Sequence, residues 1–334
     1  MLFEPTTISS AASAIAETLE KHYNQDPVAV FKKAGLDPKL LDIPDARYPF
    51  RQMRKLWATA LEVTGDECFG LVTGTVIRPT SFHALGFAWL ASQTLHEALQ
   101  RLCRYCRLIS TVPLRLDIRE SATHYTLHLD TSEYDQEPPP PSIDAFTVSI
   151  VSLCRQASDK HFAPTQVTLA RPDNGRIDQY IDVFQAPVTL DADSITLSFD
   201  RQQLDAPLPG HNRDLAIAND KVAEQYLEAM EPDRVSTQVK RILIELLPSG
   251  ETTQKMIARQ MNRSLSTLQR QLSAEGTSYK LIQEDTRRTL AEEYVREGNM
   301  SLSQIAYLLG FSDQSNFSRA FKRWTGSSPG SFRH

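Results

Sequence analysis

The last third of this 334-residue chain repeats itself, and that repetition restricts its fold more than any other feature. Residues 253–262 (TQKMIARQMN) align with residues 301–310 (SLSQIAYLLG), placing Ile257 on Ile305, Ala258 on Ala306, Met261 on Leu309 and Asn262 on Gly310. One extra residue enters the second copy, after which Ser266 falls on Ser315, Leu268 on Phe317, Arg270 on Arg319 and Leu272 on Phe321. Each copy reads as a short helix, a tight turn and a second helix, spanning 253–274 and 301–324. The residue types suit a helix-turn-helix. Ala258 and Ala306 are small where two helices cross, and Asn262 and Gly310 tolerate the positive φ that stops the first helix. Ser301 through Gln304 has the S-x-x-Q form of a capping box, and Asp313 is a good N-cap for the last recognition helix.

A helical hairpin without a DNA role is the bland alternative, and the outer faces argue against it. On a helical wheel Leu265, Leu268 and Leu272 cluster inward in the first candidate recognition helix. Ser266, Thr267 and Arg270 point away, with Gln269 on the flank. In the second, Phe317, Ala320, Phe321 and Trp324 face inward. Ser315, Ser318, Arg319 and Lys322 face outward, with Gln314 at the helix start. An ordinary solvated face mixes Glu with Lys, whereas these faces carry hydroxyls, Gln, Arg and Lys without an acid. Such groups hydrogen-bond base edges and phosphates, and Arg is the commonest bidentate reader of guanine. Residues 278–297 read as one joining helix, roughly 30 Å long at about 1.5 Å per residue. Successive major-groove faces of B-DNA lie ~34 Å apart, so one chain can present two recognition helices to adjacent grooves.

Charge agrees. The formal net charge is −5, yet residues 232–334, beyond a break at 231–233, hold 15 Lys+Arg against 10 Asp+Glu. The C-terminal third is therefore +5 and the rest −10, the asymmetry of an acidic body carrying a polyanion-binding module, although chance can produce five excess charges. Against enzymatic readings, no Walker A sequence, dinucleotide loop or G-x-S-x-G is present. His96-Glu97 begins a zincin motif that Gln100 breaks, and Cys103-Arg-Tyr-Cys106 is a lone C-x-x-C better read as small core residues. Cys68 and Cys154 complete a set of four whose spacing holds no zinc. Neither a cofactor nor a metal is expected. With no signal peptide or apolar run long enough for a bilayer, the protein is expected to be cytoplasmic and away from membranes.

Residues 1–210 read as α+β. A helix opens at Asp26-Pro27 and closes at Gly35; another opens at Pro49 with Phe50, Met53, Trp57, Ala60 and Leu61 on one face. Thr94 through Glu97 forms a capping-box start for a helix with Leu95, Ala98, Leu99, Leu102, Cys106 and Ile109 inward. Strands are expected at 114–118, 125–129, 166–170 and 195–199. Residues 138–141, all Pro, read as a stiff surface connection before a helix around 146–153. Residues 207–210 end this domain, and an amphipathic linker helix follows within 211–231, with Leu215, Val222, Tyr226, Leu227 and Met230 on its apolar face. A further helix with Val235, Val239, Ile242, Leu243 and Leu246 opens the C-terminal domain, stopped at 248–250. Phe82, His83, Phe87 and Trp89, with Arg104 or Tyr105 as polar anchors, are the candidates to line an effector pocket. Packing into the core is the commoner role for such aromatics, and His83 can equally be a satisfied buried histidine.

From Gly250 to Arg333 the sequence resembles the AraC/XylS family of bacterial transcription regulators. The resemblance rests on Ile257-Ala258, residues 264–272 (SLSTLQRQL), Glu275-Gly276, Arg287, Gln304-Ile305-Ala306 and, most densely, residues 309–326 (LGFSDQSNFSRAFKRWTG) with Ser328-Pro329. It implies base readout at Ser266, Gln269 and Arg270 in the first recognition helix, and at Gln314, Ser315 and Arg319 in the second. Asn262 departs from the glycine common in the family. Ser266 departs from the bulkier readers of some relatives. Residues 79–107 (PTSFHALGFAWLASQTLHEALQRLCRYCR) resemble the arabinose-binding/dimerisation-type domain of the subfamily that includes ornithine-utilisation regulators. The expected molecule is an α+β sensor and dimerisation domain (1–210), a linker helix (211–231) and an all-α domain (232–334) with two helix-turn-helix motifs joined by a long helix. Its expected function is that of an effector-responsive activator. Its expected partners are double-stranded promoter DNA, a small-molecule effector, a second copy in a homodimer, and RNA polymerase. A ligand-blind dimeric DNA-binding protein is the alternative, and an enzyme fused to such a module a weaker one.

Overall fold

The computed structural model describes residues 4–43, 45–132, 138–230, 234–250 and 252–332. The 231–233 break and Arg333 lie outside the described residues. The chain divides into two compact units, Met1–Leu227 and Glu228–His334.

The first unit opens with β1 (Thr6–Ile8), α1 (Ser9–Tyr23), α2 (Pro27–Ala34), β2 (Arg47–Pro49), α3 (Phe50–Thr64) and α4 (Phe69–Val76). α2 begins at Pro27 and Asp26 accepts a hydrogen bond from the Val28 amide at 2.9 Å, so both terminus signals act as the sequence suggests. Met53, Leu56, Trp57 and Ala60 of α3 join Ile15, Phe31 and Phe69 in one core. Next come α5 (His83–Ala91), α6 (Leu95–Tyr105), β3 (Arg115–Glu120), β4 (His124–Asp130) and α7 (Pro140–Ala157). The Thr94 hydroxyl caps the Glu97 amide, but the Glu97 carboxylate reaches back to the Gln93 amide rather than that of Thr94. α6 stops at Tyr105, and Cys106 lies in a following 3₁₀ turn. α7 is longer than expected. Pro140 and Pro141 form its first turn, where a missing N–H leaves no intrahelical bond unmade.

α7 packs against α4 through glycine. A Cβ added at Gly70 would stand 2.2 Å from the Pro141 carbonyl oxygen, and one at Gly74 2.6 Å from the Val148 Cβ, so the two backbones approach only because both side chains are absent. β5 (Gln166–Thr168), α8 (Ile177–Phe184), β6 (Val188–Thr189), β7 (Ile195–Asp200) and α9 (Arg201–Asp205) complete the sheet layer. The five-stranded sheet runs β3-β4-β7-β5-β6, parallel between β5 and β6 and antiparallel elsewhere. One buried charge cluster stands out: Asp144 of α7 is fully buried, ion-paired with Arg171 and accepting from the Tyr180 hydroxyl at 3.1 Å.

α10 (Arg213–Met230) settles a direction that the sequence leaves open. Its buried residues are Ala216 and Ala223, while Leu215, Val222 and Tyr226 are exposed. The reason is electrostatic. Buried Arg101 of α6 donates to Asp220 at 3.0 Å and Arg104 pairs with Glu224 at 2.8 Å, so the face carrying the carboxylates docks and the small alanines allow close approach.

The second unit is all helical: α11 (Val235–Leu246), α12 (Gln254–Gln260), α13 (Leu265–Ala274), α14 (Tyr279–Glu297), α15 (Leu302–Leu308), α16 (Gln314–Thr325) and α17 (Pro329–Phe332). It has two cores. Val239, Leu243, Ile257, Leu268 and Leu272 form the first, and Ala291, Val295, Ile305, Phe317 and Phe321 the second. Glu275, directly after α13, caps a different helix: its two oxygens accept from the Val235 and Ser236 amides at 2.8 and 2.9 Å, and Arg234 pairs with it at 3.2 Å. A carboxylate there satisfies two orphan donors and meets the positive end of the α11 dipole.

Two outcomes follow. Asp144→Ala leaves the Arg171 guanidinium buried without its partner and should destabilise the first unit by about 3–5 kcal/mol in urea unfolding, whereas Asp144→Leu with Arg171→Met should recover most of that loss. Glu275→Ala should cost the second unit about 1–2 kcal/mol, seen in hydrogen exchange as faster loss of protection at the Val235 and Ser236 amides.

Candidate nucleic-acid interface

Both recognition helices are positioned from beneath by core side chains and from their N-termini by caps. Ser264 accepts from the Thr267 amide at 3.1 Å to start α13. Asp313 accepts from the Asn316 amide at 2.7 Å to start α16, and that bond holds its carboxyl below the usual range. Ser301 and Gln304 complete the reciprocal capping box at the start of α15. Ala258 and Ala306 are buried at the two helix crossings. Both turns use the left-handed conformation, Asn262 at φ 52° and Gly310 at φ 69°. Only the second demands glycine for space as well, since a Cβ at Gly310 would lie 2.7 Å from the Leu247 carbonyl oxygen.

α14 connects the two halves. Tyr279 and Ile282, near its start, pack on the first core, Ala291 and Val295 belong to the second, and Leu290 packs on both. Polar clamps act along its N-terminal half. Gln283 donates to the Thr252 hydroxyl at 2.9 Å. Glu284 accepts from the Trp324 indole at 3.1 Å and from Arg323 at 2.9 Å, and these two donors hold its carboxyl below the usual range. Arg287 lies over the Phe311 ring and donates to the Gly310 carbonyl at 3.3 Å, while burial pulls its basicity down.

On α13, Ser266, Gln269 and Arg270 are exposed. Thr267 is half-buried, its hydroxyl 2.8 Å from that of Ser264. Gln269 reaches Gln254 of α12 at 3.3 Å. Leu268 and Leu272 are buried as expected, but Leu265 is 40% exposed. As the first residue of the helix it projects past the core, so it stays partly in solvent although it points the same way as Leu268 and Leu272. On α16, Gln314, Ser315, Arg319 and Lys322 are exposed and Ser318 is half-buried. Gln314 accepts from Ser303 at 2.8 Å, and Arg319 donates to Asn316. Trp324 is only half-buried, its indole N–H being spent on Glu284. Neither α13 nor α16 contains an acidic residue. A cleft between α14 and α16 of about 780 Å³ gathers Lys280, Arg287, Arg319 and Arg323 around a lone acid, Glu284. The helical wheels missed Lys280 and Arg323, because a wheel shows one helix at a time and these cations converge from two.

The six candidates for effector contact do not converge. Phe82 lines a cavity of about 130 Å³ in the first unit. Trp89 is buried and donates to the Leu153 carbonyl at 3.2 Å, and Phe87 is 49% exposed. His83 is half-buried and 3.1 Å from Asp45. Arg104 and Tyr105 both reach Glu224 of α10, at 2.8 and 3.2 Å. In the C-x-x-C segment, burial pushes the Cys103 thiol up to about 12, far from a reactive thiolate.

No helix among the described residues is long and apolar enough to cross a membrane. Residues 25–208 match the family described as the arabinose-binding N-terminal domain of AraC transcription regulators, and residues 257–334 match a helix-turn-helix domain family. The ornithine utilization regulator of Pseudomonas aeruginosa is 27% identical over 326 residues, covering 94% of this chain and 93% of that protein. The regulator VirS of Mycobacterium tuberculosis is 36% identical over 135 residues, 39% of this chain and 40% of that protein. The crystal structure of the regulator CdpR from Pseudomonas aeruginosa aligns with 97% of this chain and 98% of its own, at 20% identity and a TM-score of 0.46. Family and relatives are transcription regulators rather than enzymes, and a double helix-turn-helix unit following an α+β unit in the chain is the corresponding organisation: the chain belongs to the AraC family of DNA-binding transcription regulators.

Proposed function

We propose that this regulator is an effector-responsive, dimeric activator that reads two adjacent major grooves of promoter DNA in the cytoplasm. Residues 1–210 sense and dimerise, residues 211–231 connect, and residues 232–334 bind DNA. The observation that carries the reading is the sharing of α14 between two cores, which ties the two acid-free recognition helices to one rigid element. Ser266, Gln269 and Arg270 address base edges in one groove, and Gln314, Ser315 and Arg319 in the next. Thr267, Ser318 and Lys322 border those faces and contact the backbone. RNA polymerase is contacted from the DNA-bound state. Effector binding shifts a pre-existing equilibrium toward the promoter-binding form, which requires a ligand with different affinities for the two states. The exposed Leu215, Val222 and Tyr226 of α10 support a two-fold interface with a second copy.

On a duplex selected from randomised sequence, Arg270→Ala and Arg319→Ala should each lower affinity by about 1–3 kcal/mol and relax preference at one base position, in different half-turns of the site. Lys322→Ala should weaken all sequences alike and reduce the salt slope by about one. Uniform loss from Arg319→Ala would instead assign that residue to a phosphate. In sedimentation equilibrium the wild type should show twice its 37.6 kDa mass, and Val222→Glu should shift it toward the single chain.

A further inference from the structure

Among the sequence candidates Phe82 alone lines the cavity of about 130 Å³ in the first unit, and the chemistry of its described walls is uniform. Its walls include Phe50, Met53, Trp57, Phe82, Ile109 and Val112, supplied by α3, the turn before α5 and the segment between α6 and β3. No Asp, Glu, Lys, Arg or His lines it among the described residues. The hydroxyls that do line it are mostly occupied. Thr73, Ser142 and Ser149 donate to the Phe69, Pro139 and Phe146 carbonyls at 2.9, 2.7 and 2.7 Å. Thr7 and Ser110 lie 3.2 Å apart and bond each other. Thr131 is left as the lining hydroxyl without a bond among the described residues. Among the described residues, no lining side chain carries a buried polar atom without a hydrogen bond.

From this we infer that the first unit binds an uncharged, predominantly apolar small molecule, about one aromatic ring in size, in the cavity bounded by α1, α3, α4 and α7. The inference rests on the effector-responsive reading above and names the chemical class of the effector. Volume sets the size: at about 130 Å³ the space matches apolar cavities of ~150 Å³ that stay dry and take up benzene. Charge sets the class. A zwitterionic amino acid or an organic acid would bring one or more ions against walls whose described residues carry no counter-charge, at a desolvation cost that those residues do not offset. A sugar would bring several hydroxyls to a wall with one unoccupied partner. An apolar ring gains burial and dispersion contacts without requiring either.

Thermal unfolding of the full chain, with and without ligand, tests this. The uncharged probe is toluene, and benzoate, benzylamine, ornithine and L-arabinose are the polar set. Toluene near saturation should raise Tm by about 5 °C through mass action, and the polar set should not move it. Ala11→Phe and Ser149→Leu each place new carbon in the cavity and should abolish the toluene shift while keeping the wild-type circular dichroism. Two substitutions on different helices keep the result readable if one variant does not fold. An unchanged Tm with toluene in the wild type, or an equal rise in both folded variants, overturns the inference. If ornithine, L-arabinose or a charged probe instead raises Tm and alters promoter affinity, the apolar class is wrong while the effector-responsive reading stands.

Discussion

The second unit depends on α14 belonging to two hydrophobic cores at once. Two helix-turn-helix motifs on a flexible tether would search independently, and a second contact would gain only the effective concentration that the linker permits. Here Leu290 packs on both cores, with Ile282 on one side and Val295 on the other, so rotating either motif about α14 exposes buried surface. Polar contacts act in the same sense: Gln283 ties the helix to Thr252 below the first motif, and Glu284 and Arg287 tie it to α16 and to the turn at Gly310. The ordering entropy of the pair is thereby spent during folding rather than on DNA. A helix of 19 residues spans about 29 Å, a length on the scale of one turn of B-DNA.

That unit was legible in the sequence because its local signals agree with one another. Thr253, Ser264, Ser278, Ser301 and Asp313 each stand at a helix N-terminus and each caps it, and Gly298 closes α14 where expected. Helix starts and stops are decided by a few residues in contact along the chain, which a reader of sequence can see. Leu265 escaped because the helical wheel assigns a direction but not a depth: at the first position of α13 there is no core left to reach. Glu275 was visible as a matching residue but not as a cap, because the amides it serves are 40 and 39 positions away.

The first unit was less legible for a related reason. The expected strands are present within a residue or two, since alternation reports a half-buried strand directly. What stayed open was the assignment of partners. The apolar stripe of α10 does not say what it packs against, and Arg101 and Arg104 on α6 select the carboxylate-bearing stripe. Once Arg101 is buried, leaving it without Asp220 would cost more than exposing Leu215 and Val222 returns to the solvent. Similarly, residues 140–141 read as a stiff connector because proline breaks helices, whereas the first turn is the one place in a helix that tolerates it.

The same distinction separates two polar environments in this molecule. The outer faces of α13 and α16 keep most of their polar groups exposed and carry no acid. The cavity in the first unit does the reverse: its helical serines and threonines return their protons to carbonyls of their own turns. A space finished in that way offers an incoming molecule contact area and little else. Because its walls come from α4 and α7, whose crossing is fixed by Gly70 and Gly74 against Pro141 and Val148, an occupant adds dispersion contacts to helices already locked at a short distance. An occupant would therefore add to the stability of the whole packed layer rather than pull on one anchored side chain.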